Sequence, residues 1–304
     1  MEDNFYKNRI IELGLASKSR LMLPENDSRI DLAKLELSSL GFDIINNEDI
    51  MDQFSKYKKI ISTKKFTDNW ESKQIEIFLN NPINFAMIAV LAGDADAVVA
   101  GATNKTSDII RSAIRIIGLR PNNKWVSSIF YMIHESGESA MTYSDCGVIP
   151  EPNSEQLVCI AESAYSLHKE LSGEESKIAF LSFSTKGSAN HYKVDRVKRA
   201  VELFGKGNNE IEYEGEIQFD AAVDSRIRKR KIPNSRLKSA ANTFIFPDLD
   251  SGNIAYKITE RLGGYHALGP LLTGLNKPIH DLSRGCSVDD IINIAAIAAL
   301  QKEG

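Results

Sequence analysis

The sequence predicts an α/β fold of two domains, each built on a mainly parallel sheet. Short, wholly apolar runs alternate with amphipathic stretches along the chain, as in strands buried on both faces and joined by right-handed crossover helices. The 304 residues exceed what one hydrophobic core ordinarily holds. Four strand-to-helix joints are rich in small residues, hydroxyls and amides, and ligand loops lie at such joints in parallel sheets.

In chain order, "RLMLPEN" is a strand stopped by Pro24. "SRIDLAKLELSSLGF" places Ile30, Leu32, Leu35, Leu37 and Leu40 mostly at helical spacing, with Gly41 as the stop. "DIINN" is the next strand, and the polar, Lys-rich stretch 52–80 reads as helical. "PINFAMIAVLAGDA" reads as a helix and "DAVVAGA" as a buried parallel strand ending at Gly101. "KTSDIIRSAIRIIG" is a helix capped by Thr106 or Ser107 and closed by Gly118. "WVSSIFYMI" is another buried strand. Pro150 and Pro152 then precede a long helix that begins at Asn153 or Ser154. "KIAFLSFST" and "ANTFIFPD" are strands, each feeding a helix, "VDRVKRAVELFG" and "SGNIAYKITERLGG". "PIHDLS" is a short strand and "SVDDIINIAAIAALQKE" the last helix.

A net charge of −4 gives no general attraction for nucleic acid or an anionic membrane. The seven Lys and Arg of "RIRKRKIPNSRLKS" (226–239) lack interleaved aromatics and read as a solvated helix and loop, with a contact to ligand phosphates as the alternative. No run approaches ~18 apolar residues, and "MEDNFYKNRIIELG" is too charged for a signal peptide. Cys146, Cys159 and Cys286 are scattered, the pattern of a reduced, cytoplasmic protein. The five histidines show no pair at helical metal-ligand spacing.

The four joints are "AGATNKT" (100–106), "FSTKGSA" (183–189), "PDLDSGN" (247–253) and "DLSRGC" (281–286). Helix N-termini with open N–H groups hold anions, so four of them together point to a phosphate- or nucleotide-containing ligand. The densest chemistry is in "DLSRGCSVDDI" (281–291), with a hydroxyl, a guanidinium, a thiol and carboxylates side by side.

Several segments resemble the phosphate acetyltransferases (phosphotransacetylases). They are "YSDCGVIPEPNSEQL" (143–157), "SFSTKGSA" (182–189), "GEIQFDAA" (215–222), "ANTFIFPDLDSGNIAYK" (241–257), "RLGGYHALGPLLTGLNKPIHDLSRGCSVDDI" (261–291) and "AAIAALQ" (295–301). "PEN" (24–26) and "GDADAVVAGATNKTSDIIRSAI" (93–114) fit as well, and "DLSRGC" favours the acetyl over the butyryl branch. The resemblance implies two three-layer α/β domains flanking an interdomain cleft, akin to isocitrate and isopropylmalate dehydrogenases. It places 1–144 plus 285–304 in the first domain and 145–284 in the second, with homodimerisation through the second. It implies reversible acetyl transfer between CoA and inorganic phosphate, with CoA as substrate and no cofactor. A non-catalytic acyl-CoA sensor, like the domain appended to some malic enzymes, and transfer of another short acyl group are the alternatives.

By the same resemblance, Asp290 is the base that takes the CoA thiol proton, Ser283 donates to the thiolate or oxyanion, and Arg284 clamps phosphate. Asp290 is also placed to close a capping box with Ser287, and the two roles can coexist. An aspartate of ordinary pKa, about 3.9, is a weak base for a thiol near 8.5. Arg111 is carried over as a phosphate ligand, with Thr106 helping through its hydroxyl or N–H. Ser184, Thr185 and Lys186 are assigned to substrate phosphate or cleft structure, with a tight turn before a helix as the alternative, and Lys257 is a further binding candidate. Cys286 reads as a packed thiol rather than an acyl carrier. The chain departs from the family pattern at Asn80, where an arginine is usual, and at Glu214 and Asp250.

Overall fold

Each of the two units into which the chain divides carries its own sheet. One unit is Lys7–Val126 with Gly269–Gly304; the other is Met1–Tyr6 with Ser127–Leu268. The computed structural model describes residues 4–121 and 123–301.

The elements run α1 (Phe5–Ala16), β1 (Arg20–Met22), α2 (Ser28–Leu40), β2 (Asp43–Ile44), α3 (Phe54–Ile61), α4 (Ser72–Leu79), α5 (Pro82–Ala92), β3 (Ala97–Ala100), α6 (Thr106–Ile116), β4 (Ser127–His134) and β5 (Ala140–Ser144). They continue with α7 (Ser154–Ser172), β6 (Lys177–Leu181), α8 (Tyr192–Gly205), β7 (Glu212–Ile217), α9 (Phe219–Val223), α10 (Ser225–Lys231), β8 (Thr243–Ile245), α11 (Leu249–Leu262), β9 (Tyr265–Thr273), β10 (Ile279–Asp281) and α12 (Val288–Leu300).

The first unit's sheet has the order β10-β3-β1-β2 and is parallel throughout. α2 is capped by the Asp27 carboxylate, which accepts from Arg29 N–H, and ends where Gly41 turns left-handed at φ +100°. α5 begins at the Asn81 cap with Pro82 in its first turn, and residues 83–90 are buried. α12 is apolar on every side, with Ile291 through Ala299 buried against α2, β1 and β3. Each fully buried Ile contributes roughly 1.5–3 kcal/mol, so the helix carrying Asp290 at its first turn is anchored from Ile291 to Ala299.

The second unit's sheet has the order β7-β6-β8-β5-β4-β9. β7, β6, β8 and β5 run parallel, while β4 and β5 form an antiparallel pair. The chain passes between the two compact units at 6/7, 126/127 and 268/269; the sequence reading set its boundaries at 144/145 and 284/285. The hairpin decides the first shift, because β5 pairs with β8 and brings β4 with it. β10 decides the second, because it pairs with β3.

The strands β5, β7 and β9 and the helices α1 and α9 go unread in the sequence. β7 reads "EYEGEI", and its buried Glu214 and Glu216 disguise an interior strand. β9 contains Gly269 and Pro270, which read as breakers. α6 is not capped as expected: Lys105 holds the cap position without a side-chain bond, and the Thr106 hydroxyl turns to Asp281. Among the described residues no single helix is long and apolar enough to cross a membrane. The bent pair α4–α5 passes only by composition, and α5 is core.

His168 and His280 are buried, and burial lowers both to about 4. Each stays neutral in the folded chain while an unfolded histidine, with an ordinary pKa of about 6.5, takes up a proton. Stability is therefore lost as pH falls from about 6.5 towards 4. In thermal melts over that range the wild type should lose Tm relative to His168→Asn; a pH-independent difference between the two would refute the assignment.

Candidate active site

Three neighbouring strands of the first unit, β10, β3 and β1, end on the same side of a parallel sheet, and their loops meet there. Glu25 comes from the loop after β1. Its buried carboxylate accepts the N–H groups of Gly101, Ala102 and Thr103 at 2.7, 2.8 and 3.0 Å. It also accepts the Thr103 hydroxyl at 2.8 Å and the Asn104 amide at 2.7 Å. Burial alone would raise this carboxyl; the donors from Asn104, Thr103 and Ala102 outweigh it and hold Glu25 below its ordinary value. The first N–H groups of the "AGATNKT" loop are thus spent on an internal anion.

Arg29 supplies the second tie. Its Nη1 donates to the carbonyls of Arg284 and Cys286, both at 2.9 Å, and its Nη2 to the carbonyl of Ala102 at 3.2 Å and to Asp27 at 2.9 Å. One guanidinium therefore joins the turn after β10 to the loop after β3. The turn itself closes through Cys286 N–H to the Ser283 carbonyl at 2.9 Å. The third tie is Thr106, whose hydroxyl bonds Asp281 Oδ2 at 2.5 Å. Asp281 is fully buried, and burial, opposed by Thr106 and assisted by the Glu25 charge, pushes it up to about 7.

On this frame stand the predicted chemical groups. Ser283 and Arg284 are exposed, with their backbone held by the turn and by Arg29. Asp290 is half-buried; its Oδ2 accepts Ser287 N–H at 2.8 Å while Ser287 Oγ accepts Asp290 N–H at 3.1 Å. The capping box is present and uses one carboxylate oxygen. Arg111 is exposed on α6 and pairs with Asp108 at 3.0 Å. Cys286 is buried; burial pushes its thiol up, Arg29 opposes this in part, and Asp290 and Asp27 add to it. A thiol so placed stays protonated and is a poor acyl carrier.

The remaining candidates lie in the second unit. Ser184 and Thr185 are buried, their hydroxyls donating to Glu216 at 3.0 Å and Gln218 at 3.2 Å. Lys186, at φ +46°, pairs with Glu214 at 2.6 Å and donates to the Gly215 carbonyl at 2.7 Å. Burial would raise Glu214, but Lys186 and Ser235 hold it low. These three side chains build their loop. Lys257 is exposed beside the Tyr256 ring, 4.8 Å from its centroid. The basic stretch is largely exposed, as a solvated helix and loop should be; the exception is Arg228, which is buried and donates to three carbonyls, while the exposed Arg236 bonds the Tyr213 hydroxyl and the Asn209 carbonyl. Asn80 is exposed at the end of α4. No group of three or more His, Cys, Asp or Glu among the described residues is placed to hold a metal ion.

Glu25, Arg29 and Asp281 are the residues that sequence reasoning left without a role. The signal was present for two of them: Glu25 and Asp281 are charged residues at or within three positions of a buried strand end, where burial demands a partner.

These loops and this turn belong to a class of acyl-transferring enzymes. Residues 7–299 match the family model described as phosphate acetyl/butaryl transferase, and the chain belongs to that family. A phosphate acetyltransferase of Paracoccus denitrificans is 46% identical over 73% of this chain and 71% of its own length. One from Clostridium acetobutylicum is 38% identical over 97% and 90%. A phosphotransacetylase structure from Streptococcus pyogenes superposes with a TM-score of 0.88 at 35% identity, covering 100% of this chain and 99% of that one.

Replacing Glu25 by Gln puts an amide N–H₂ among donors. The mismatch should cost about 1–3 kcal/mol and lower Tm by several degrees. An unchanged melting curve would show that the carboxylate is not what holds the 101–104 loop.

Proposed function

We propose that this chain catalyses the reversible reaction of acetyl-CoA and phosphate to acetyl phosphate and CoA, by direct attack of the CoA sulfur in a ternary complex. The observation that carries the proposal is the convergence of Ser283, Arg284 and Asp290 on one strand-to-helix junction, beside the loop that leads to Arg111. In the direction of acetyl-CoA synthesis, the thiol sulfur bonds to the acetyl carbonyl carbon. The thiol proton passes to Asp290, whose Oδ1 is not used by the capping box. Ser283 donates to the oxyanion of the tetrahedral intermediate. The carbon–oxygen bond to phosphate then breaks, and phosphate departs held by Arg284 and Arg111, whose planar forks match its oxygens. Asp290 returns its proton to the departing phosphate or to water.

These steps use side chains alone and need no cofactor. The buried, protonated Cys286 supports direct transfer over an acyl-enzyme. Lys257 is assigned to a substrate anion, and Ser184, Thr185 and Lys186 to the shape of their loop. The two parallel-rich sheets support reading the architecture as isocitrate dehydrogenase-like. None of the three cysteines is disulfide-bonded, which supports a cytoplasmic location.

We also propose a homodimer through the second unit. α11 has one buried residue, Gly252, although it is fourteen residues long. Ile254, Ile258 and Leu262 are exposed at 56%, 54% and 84% and recur every fourth position as one apolar stripe. About a twofold axis at Ile258, an antiparallel copy of α11 sets Ile258 on itself and Ile254 on Leu262, the self-complementarity an isologous interface requires.

Thioester formation from acetyl phosphate and CoA tests the function. Asp290→Asn should lower kcat by about 10²–10⁴-fold. Arg284→Ala should lose activity mainly through phosphate-bearing substrate. Wild-type rates in both variants would overturn the assigned roles; CoA binding without turnover in the wild type would favour a sensor. For assembly, Ile258→Glu should shift the sedimentation profile from dimer to monomer, and an unchanged profile would place the interface elsewhere.

A further inference from the structure

Asp281 ends β10 with no surface exposed, and among the described residues no Lys, Arg or His hydrogen-bonds it. Its Oδ2 meets Thr106 Oγ1 at 2.5 Å. Its Oδ1 is buried without a hydrogen-bond partner. A Cβ at Gly101 would collide with that oxygen and with the Leu282 backbone, and Gly101 itself holds φ +120°. At Gly101, therefore, backbone lies against Asp281; α6 contributes the Thr106 hydroxyl, and the neighbouring Leu282 N–H, which favours the charged form, is hydrogen-bonded to the Ala100 carbonyl at 2.8 Å. The charged group close by is the Glu25 carboxylate. His280, the neighbour in β10, turns away to Leu272 N–H and Gln301.

A buried carboxylate with one orphan oxygen, no counter-ion and a like charge nearby is costly as an anion. As a neutral acid the same group has a hydrogen to donate, and its orphan oxygen is an ordinary carbonyl. The upward shift of the carboxyl to about 7, caused first by burial, agrees with this geometry.

We propose that Asp281 is a positioning residue acting through Thr106: as a neutral acid it donates to Thr106 Oγ1, and Thr106 turns its one hydroxyl hydrogen outward to an oxygen of the anionic substrate. When Asp281 ionises it becomes the acceptor and takes that hydrogen back, so the anion faces hydroxyl lone pairs. Asp281 thus sets whether the mouth of α6 offers a donor or an acceptor. The inference deepens the assignment of this junction to a phosphate-bearing substrate and rests on it.

The test is the KM for acetyl phosphate and for CoA between about pH 6 and about pH 8.5, in wild type, Asp281→Asn, Thr106→Ser and Thr106→Val. Asn carries a permanent amide donor and stands in for the neutral acid. The wild-type KM for acetyl phosphate should rise about tenfold across the range, with the KM for CoA steady. Asp281→Asn should keep the low value at the upper end, Thr106→Ser should follow wild type, and Thr106→Val should be high throughout. Titration of the substrate is common to all four proteins and cancels in their ratios. The inference is overturned if Asp281→Asn tracks wild type at every pH, or if it raises both KM values alike with a lowered Tm, which is a packing role. A wild type inert with acetyl phosphate would fail the functional reading itself; sulfate affinity by calorimetry in the same proteins, following or breaking the same pH rule, would then decide the role of Asp281.

Discussion

The frame of the candidate site depends on one buried anion. The Glu25 carboxylate takes five donors from four consecutive residues, so the chain leaving β3 is wrapped around a fixed negative charge. Neither partner tolerates burial alone: three backbone N–H groups and a carboxylate would each be expensive without the other. Arg29 then braces this loop against the turn after β10, using carbonyl oxygens that no side chain of the turn itself satisfies. Anion, guanidinium and the Thr106–Asp281 bond make one polar layer over the ends of three strands. That layer lets exposed groups such as Ser283 and Arg284 project from a backbone that does not move with them.

Structural and proposed chemical duties overlap here. Ser287 and Asp290 close a capping box, which commits one carboxylate oxygen and leaves the other. The helix they begin is buried over most of its length, so the position of Asp290 is set by the core of its unit and not by a flexible loop. A carboxylate held by its own helix terminus has lost its rotational freedom before any substrate arrives, which is the condition for efficient proton transfer.

Much of this was legible in the sequence, and the failures have physical causes. Apolar periodicity located α2, α5 and α12 and the buried strands β3 and β4, because burial dominates their composition. The spacing of Ser287 and Asp290 showed the capping box outright. β7 was hidden because its glutamates are paired inside: Glu214 meets Lys186 and Glu216 meets Ser184, partners some thirty residues away. The Thr106 cap failed for a similar reason, since Asp281 competes for its hydroxyl across 175 positions. Pattern reading sees neighbours within a few residues; a buried polar group chooses its partner by space. Glu25, Arg29 and Asp281 fall on the far side of that line, and all three are tied to loops remote in the chain.

Arg29 clasps the peptide oxygen of Arg284 and makes no bond to its guanidinium. The residue has a locked shoulder and a free arm. Reactants and products of an acyl exchange with phosphate present their oxygens at different depths, since one form carries an extra acyl group. In the role proposed for Arg284, a limb pivoting on a stationary joint would follow the anion through both halves of a turnover while the peptide plane beneath it stays still.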